Sequence, residues 1–249
     1  MLNPQSWDNR RDLIVPGDRL ATIAFAVKDL MAAAERAIAD HGAFYIALSG
    51  GSTPKAIYEE LCQPQQKIEW GKWHLFWSDE RSVPSNHPES NYHMAMEAGF
   101  KKMMIPPDQI HRMQAEKEIE KEAHLYEKTI QDRLQGRGFD FMMLGMGEDG
   151  HTASLFPFTD GLKAQGKLVI ANYIPQLQTW RMTLTFDCIN ASSHIVCYVL
   201  GSQKREKLRQ VLEPTASFEE LPSYKIGTPT YKALWVVDES AGLSLRNAS

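Results

Sequence analysis

Residues 43–61 read AFYIALSGGSTPKAIYEEL: an apolar run, then a glycine-containing turn, then a helix-like segment. Apolar and aromatic residues occupy 43–48 throughout, which is typical of a parallel strand covered on both faces. Pro54 stands at an early position of the following helix, where its missing N–H has little cost. This strand–turn–helix order predicts one βα unit of an α/β sheet.

The same alternation of apolar runs and helix-like segments continues along the chain. Further strands are predicted at 73–77, 139–144, 168–171, 181–186, 195–200 and 233–237. Helices are predicted at 18–40, 54–61, 91–104, 115–134 and 203–212. Polar and apolar residues alternate in 181–186, which indicates a strand with one exposed face near a sheet edge. We therefore expect a single domain over residues 1–249, with a doubly wound, mostly parallel α/β sheet and helices on both faces.

The composition narrows the classes of function. A net charge of −4 provides no general attraction to nucleic acid or to an anionic membrane. The first residues contain no apolar signal core, and no run approaches the roughly 18 apolar residues that span a bilayer. Cys62, Cys188 and Cys197 have no metal or redox spacing, as expected in a reducing compartment. We expect a cytoplasmic protein, a monomer or weak homo-oligomer, without nucleic-acid or membrane partners.

In open α/β sheets, ligands bind beyond the carboxyl ends of the strands, and the turn at 49–54 follows such an end. Gly50 and Gly51 leave backbone N–H groups accessible, and the helix N-terminus favours an anion. With the hydroxyl of Ser52, this turn is a candidate phosphate cradle. It lacks the spacing of a Walker A loop. The alternative is an ordinary junction in which Ser or Thr is the N-cap.

Charged residues follow other predicted strands. Asp79 and Arg81 follow WHLFW, and the Arg81 guanidinium can bind phosphate through two N–H groups. Lys204 lies in the first turn of a predicted helix, where its charge opposes the helix dipole unless an anion is bound. Arg181 begins a predicted strand and is a further candidate cation. The alternatives are solvated surface charges and ordinary ion pairs.

Residues 145–152 read GMGEDGHT and match the spacing GxGxxG. A dinucleotide site would need an acidic residue about twenty positions further on, where this chain reads KLVIANY. The segment is better interpreted as a glycine-rich loop that presents His151 as a general base or acid. Its backbone N–H groups are a candidate oxyanion hole. The alternative is a structural histidine in a turn.

No metal site is predicted from the remaining histidines, and no G-x-S-x-G elbow suggests a serine nucleophile. Taken together, four segments resemble the 6-phosphogluconolactonase family: ALSGGSTPKAIYEEL, WSDERSVPSNHPESNYHMA, FDFMMLGMGEDGHTASLFP and VLGSQKREKLRQVL. RMTLTFDCIN is similar too, and the resemblance spans about residues 43–213. GHTASLFP and DERxVP are specific signals, whereas sugar-phosphate isomerases and deaminases of the same superfamily share the SGGSTP loop.

The resemblance implies hydrolysis of 6-phospho-D-glucono-1,5-lactone to 6-phosphogluconate in the oxidative pentose phosphate pathway, with no metal or organic cofactor. It implies catalytic roles for His151 and Asp79, and phosphate binding by Arg81 and Lys204. We expect His151 to activate water, while Asp79 orients His151, the water or a sugar hydroxyl. Gly50, Gly51 and Ser52 would complete the phosphate site. Further candidates for substrate contact are Ser49, Gly147 and Arg181.

Three alternatives follow from the same motifs. An amino-sugar-phosphate deaminase or isomerase would resemble GHIAFNEP, and Thr152, Ser154 and Leu155 of this chain favour the lactonase instead. A non-catalytic sugar-phosphate sensor that regulates transcription would need a DNA-binding module, and the first forty residues show no helix-turn-helix pair. A dinucleotide enzyme is disfavoured by the missing acidic residue.

Overall fold

The computed structural model describes residues 3–213, 217–243 and 245. Strands within this part are β1 (Gln5–Ser6), β2 (Arg11–Ile14), β3 (Phe44–Leu48), β4 (Trp73–Trp77), β5 (Asp79–Arg81), β6 (Phe141–Gly145), β7 (Val169–Ile174), β8 (Thr179–Leu184), β9 (Ile195–Val199) and β10 (Ala233–Val237). Helices are α1 (Arg19–His41), α2 (Ser52–Leu61), α3 (Asn91–Glu97), α4 (Ile119–Leu134), α5 (Phe186–Asn190), α6 (Arg205–Leu212) and α7 (Glu239–Gly242). No described helix has the length and apolarity needed to cross a membrane.

Seven strands form the main sheet in the order β1-β2-β10-β9-β6-β3-β4. β1 is antiparallel to β2, and every other neighbouring pair is parallel. The prediction of an α/β fold on a mostly parallel sheet is therefore confirmed. The fully buried strands β4, β9 and β10 explain the continuous apolar runs in the sequence, because both faces of each strand are covered.

A second, three-stranded antiparallel sheet has the order β5-β8-β7. The expectation that the segment 181–186 lies near a sheet edge with an exposed face is wrong. β8 is the central strand of this sheet, and Thr183 on it is fully buried. The Thr183 hydroxyl accepts a hydrogen bond from the Ser154 N–H, so the polar alternation marks a buried, hydrogen-bonded face.

Three predicted helices are shorter than expected: the helix predicted at 203–212 begins at Arg205, after a 3-10 turn at Ser202–Lys204. α3 ends at Glu97, and a short 3-10 turn follows Gly99. Gly99 has a φ of 149°, a backbone conformation that favours glycine. α4 begins at Ile119 rather than at residue 115.

The strand order determines where the site lies. β4, β3, β6 and β9 are consecutive neighbours in the main sheet and run parallel. The loops that follow these four strands are the four that the sequence singled out. Because carboxyl ends of parallel strands share one edge, the loops meet there.

Candidate active site

A cleft of about 200 Å³ opens at this edge of the main sheet. Of the predicted site residues, all except Arg181 line it: Ser49, Gly50, Gly51, Ser52, Asp79, Arg81, Gly147, His151 and Lys204. Asn91, Ala153 and Tyr198 line it as well, and the sequence did not indicate them as site residues. The structure therefore brings the four loops together around one small cavity.

The His151 ring is held by a neighbouring carboxylate. Its Nδ1 lies 2.6 Å from Oδ1 of Asp149, which also accepts the backbone N–H of His151 at 3.1 Å. Burial disfavours the charge on Asp149, but the hydrogen bonds and charge of His151 outweigh it and lower the pKa of this carboxyl. An ionised carboxylate can only accept, so the proton lies on Nδ1. The neutral ring then carries its lone pair on Nε2, the atom available as a base.

Two further groups fix the plane of this ring. Phe156 stacks on it, with ring centroids 4.0 Å apart and an interplanar angle of 19°. The backbone of Gly147 lies so close to Nδ1 and Cε1 that a Cβ at position 147 would overlap with both atoms. Gly147 is thus needed for the close approach of His151.

The residues after His151 form a tight turn. Ala153 adopts φ 47°, in the left-handed region, and Thr152 and Leu155 bridge across it. The Thr152 hydroxyl donates to the Gly145 carbonyl at 2.9 Å. The Ser154 hydroxyl donates to Oδ2 of Asp79 at 2.7 Å. This turn therefore connects the histidine loop to the carboxylate that follows β4.

Asp79 is buried and has its own set of partners. Besides Ser154, the Asn91 side-chain amide donates to its backbone carbonyl at 2.9 Å and to Oδ1 at 3.3 Å. Within the described structure, Asp79 and His151 share no hydrogen bond. Asp149, and not Asp79, is the carboxylate in contact with His151. Asp79 lines the same cleft, where it can contact water or a sugar hydroxyl.

Glu80, next to Asp79, has a structural role. Its carboxylate accepts the backbone N–H groups of Arg81, Asn91 and Tyr92, and the hydroxyl of Ser90. Burial raises the pKa of Glu80, and these four donors oppose that rise. The side chain satisfies the first turn of α3 and holds this helix against β5.

Three cationic side chains converge near the cleft. Arg81 donates to the Glu89 carbonyl at 2.8 Å, and Lys204 to the Met146 carbonyl at 2.6 Å. Arg181 does not line the cleft but is the cross-strand partner of Arg81. None of the three cations forms an ion pair with a residue that the structure describes.

Burial and repulsion disfavour these charges. Burial, and then the charge of Arg81, lower the pKa of Arg181. Its Nε is buried without a hydrogen-bond partner in the described structure. Burial also lowers the pKa of Lys204, which directly precedes α6. An anion bound in the cleft would offset the cost of both charges.

The turn before α2 provides backbone donors for such an anion. Gly51, with φ 102°, is the N-cap of α2, and no described side chain caps this helix. The alternative of a Ser or Thr N-cap is therefore wrong, and the first-turn N–H groups stay available. Gly50 has no room for a Cβ, because the Asn91 side chain lies against it. The backbone of Ser49 is held through both its N–H and its carbonyl by the Tyr58 hydroxyl.

The hypothesis of an oxyanion hole in the 145–150 loop receives less support. The N–H of Gly147 donates to the His151 carbonyl at 2.8 Å, and the N–H of Gly150 donates to the Gly147 carbonyl at 3.1 Å. Both groups are therefore used to shape the loop.

The site contains residues that sequence reasoning missed: Asp149, Phe156, Ser154 as a partner of Asp79, and Asn91. Asp149 and Phe156 lie inside the quoted segment GMGEDGHTASLFP, so their proximity to His151 along the chain was an available signal. For Asn91, the available signal was its place at the start of a helix after a long polar loop.

Comparison with known proteins identifies the family of this chain. Residues 17–235 match the family model for glucosamine-6-phosphate isomerases/6-phosphogluconolactonase. The chain belongs to this family. A 6-phosphogluconolactonase of Chlamydia pneumoniae is 41% identical over 217 residues, which cover 86% of this chain and 83% of that protein. A 6-phosphogluconolactonase from a Nostoc species is 38% identical, and the match covers 92% of this chain and 95% of that protein.

Solved structures of this family have the same fold. The crystal structure of 6-phosphogluconolactonase from Thermotoga maritima is 30% identical, with a TM-score of 0.79 over 91% of this chain and 99% of that one. The 6-phosphogluconolactonase from Trypanosoma cruzi is 26% identical, with a TM-score of 0.84 over 98% of this chain and 100% of that one. The likeness therefore covers nearly the whole chain, and the residues that match the family model include all four loops of the cleft.

Proposed function

We propose that this protein hydrolyses 6-phospho-D-glucono-1,5-lactone to 6-phosphogluconate, the hydrolytic step of the oxidative pentose phosphate pathway, in the cytoplasm. The observation that carries the proposal is the Asp149–His151 pair in a cleft with Arg81 and Lys204. A base with a free Nε2 suits the activation of water, and unpaired cations suit a phosphorylated substrate. The relatives named 6-phosphogluconolactonase support the same reaction.

In this mechanism, His151 Nε2 takes a proton from water as the water oxygen bonds to C1 of the lactone. The resulting tetrahedral oxyanion collapses, and the bond between C1 and the ring oxygen breaks. The imidazolium returns its proton to the leaving ring oxygen, which becomes a hydroxyl group. The new carboxylic acid then loses its proton to solvent. General-base assistance of this kind is typically worth about 100- to 10,000-fold.

The substrate phosphate would bind among the cations and backbone donors that line the cleft. Arg81, Lys204 and the N–H groups at the start of α2, with Gly50, Gly51 and Ser52, supply the donors. Arg181 reinforces the positive field beside Arg81. Anchoring the phosphate places C1 of a small, flexible polyol near His151. Asp79, Ser49 and Gly147 are proposed to face the sugar.

The test is hydrolysis of freshly prepared lactone with and without the protein, corrected for spontaneous opening. We expect His151→Ala to reduce kcat at least 100-fold. His124→Ala is the matched control, since the His124 side chain is 78% exposed on α4, outside the cleft. Normal kcat in H151A would exclude His151 as the base. Ammonia release from glucosamine 6-phosphate, assayed in parallel, would instead indicate a deaminase.

A further inference from the structure

Phe156 is the aromatic residue in contact with His151. Its ring lies nearly parallel to the imidazole, at 4.0 Å between centroids and 19° between planes. It is half-buried, and it follows the tight turn that Ala153 makes. The stack therefore covers one face of the imidazole, while Asp149 binds its Nδ1.

We propose that Phe156 is a positioning residue for His151 and that its ring face stabilises the imidazolium formed when water attacks. This inference rests on the proposed function. Stacking restricts rotation of the imidazole, so Nε2 stays directed at the reacting water. A cation over an aromatic face within about 6 Å of its centroid is attracted by the ring quadrupole. The neutral imidazole gains only the stacking, so the charged form benefits more.

Other charges near His151 must be separated from this effect. Asp149 is hydrogen-bonded to the ring, and Asp79, Arg81 and Lys204 line the same cleft. All four residues are retained in a variant that changes only Phe156. A difference between variants at position 156 therefore reports the aromatic ring itself.

The experiment compares Phe156→Leu and Phe156→Met, which are apolar without a π face, with Phe156→Tyr, which keeps the ring. We expect F156L and F156M to lower kcat roughly 2- to 30-fold, the range of a cation–π contact. KM should change less than about twofold, because the phosphate contacts are untouched. The midpoint of the acidic limb of kcat/KM should move to lower pH, because the protonated base loses stabilisation. In F156Y, kcat, KM and the midpoint of the acidic limb should stay close to those of the unsubstituted protein.

Nuclear magnetic resonance adds a readout that does not depend on turnover. The stacked ring should shift the His151 ring-proton resonances upfield, and this shift should vanish in F156L and F156M and remain in F156Y. Phe158→Leu is the matched control: Phe158 is 72% exposed and lies two residues further along the chain. It should leave both readouts unchanged.

The outcomes separate the two proposals. Unchanged kcat and an unchanged pH limb in F156L and F156M overturn the role of Phe156, whatever the resonances do. A kcat loss of similar size in F156Y also overturns it, because the ring would then not be the cause. Full activity of H151A instead overturns the proposed base, while the resonance shift still tests the stack.

Discussion

Arg81 and Arg181 are direct cross-strand partners in the small antiparallel sheet, so two guanidinium groups project from the same face. Like charges in this position repel each other, and Arg181 is partly buried as well. No carboxylate of the described residues forms an ion pair with either one. We propose that the pair contributes to the binding of an anion, which would offset the cost of placing these two charges side by side.

Arg181→Met should weaken phosphate recognition more than catalysis. We expect KM for the phosphorylated lactone to rise about tenfold or more, the effect of about 1.4 kcal/mol. Activity on the unphosphorylated lactone should stay nearly constant. The measurement is the ratio of kcat/KM for the two lactones, and Arg36→Met, at an exposed position of α1, is the control. An unchanged ratio in R181M would remove Arg181 from the phosphate site.

Inorganic phosphate should stabilise the protein by binding near Arg81, Arg181 and Lys204. At ten times Kd, a ligand that binds only the native state adds about 1.4 kcal/mol. For a chain of this size, that corresponds to a rise in Tm of roughly 3–6 °C. Differential scanning fluorimetry at constant ionic strength measures this rise. Lys204→Met should reduce it, and an equal rise in K204M would show that phosphate stabilises the protein elsewhere.

Asp149→Asn should lower kcat about 100-fold or more, because a neutral amide no longer holds the proton on Nδ1 or stabilises the imidazolium. Imidazole nitrogen shifts should report a change of tautomer in the same variant. Glu148→Gln alters the neighbouring exposed carboxylate and serves as the control. If D149N keeps the kcat of the unsubstituted protein, Asp149 does not orient the base.

Gly147→Ala should damage catalysis more than folding. The added Cβ would overlap with the His151 ring, which must move away from its place beside Asp149. We expect a loss of kcat of about 100-fold with a Tm only a few degrees lower, since one ring on an open cleft can shift. Gly71→Ala is the control, because a Cβ there meets open space. Equal kcat in G147A and G71A would contradict the close approach.

Stability should decrease as the pH is lowered, because of a histidine pair outside the cleft. His74 Nδ1 lies 3.4 Å from His111 Nε2, and the two rings are stacked. Burial, and then the charges of His74 and Arg133, lower the pKa of His111 from 6.5 to about 4. Burial, and then Arg133, also lower the pKa of His74.

Between about pH 6.5 and 4, His111 is protonated in the unfolded chain but stays neutral in the native protein. The unfolded state therefore binds more protons, and the free energy of unfolding rises with pH in this window. The contribution is complete above pH 6.5 and is lost as pH falls towards 4. Urea unfolding at pH 7.5, 6, 5 and 4 measures it. His111→Phe, which retains a ring against Phe76, should flatten the dependence, whereas His124→Gln should leave it unchanged. A slope as steep in H111F as in the unsubstituted protein would exclude His111 as the cause.

Sequence alone determined much of the main sheet. The apolar runs at 73–77 and 233–237 coincide with β4 and β10, because a strand covered on both faces is apolar at nearly every position; the buried His74 in β4 is the exception. The same reasoning located the cleft, since parallel strands bring their carboxyl ends to one edge. His151, Asp79, Arg81 and Lys204 were found in this way, as residues of loops that the topology gathers.

Tertiary structure alone decided how these residues are paired. β5 consists of three charged residues, so no hydrophobic pattern indicates it, and its register against β8 places Arg81 opposite Arg181. The choice between Asp79 and Asp149 as partner of His151 depends on side-chain directions within one turn. Sequence patterns report burial along a strand or helix, whereas these contacts arise from distances of a few ångströms between separate loops. Only the packing of the whole domain sets those distances.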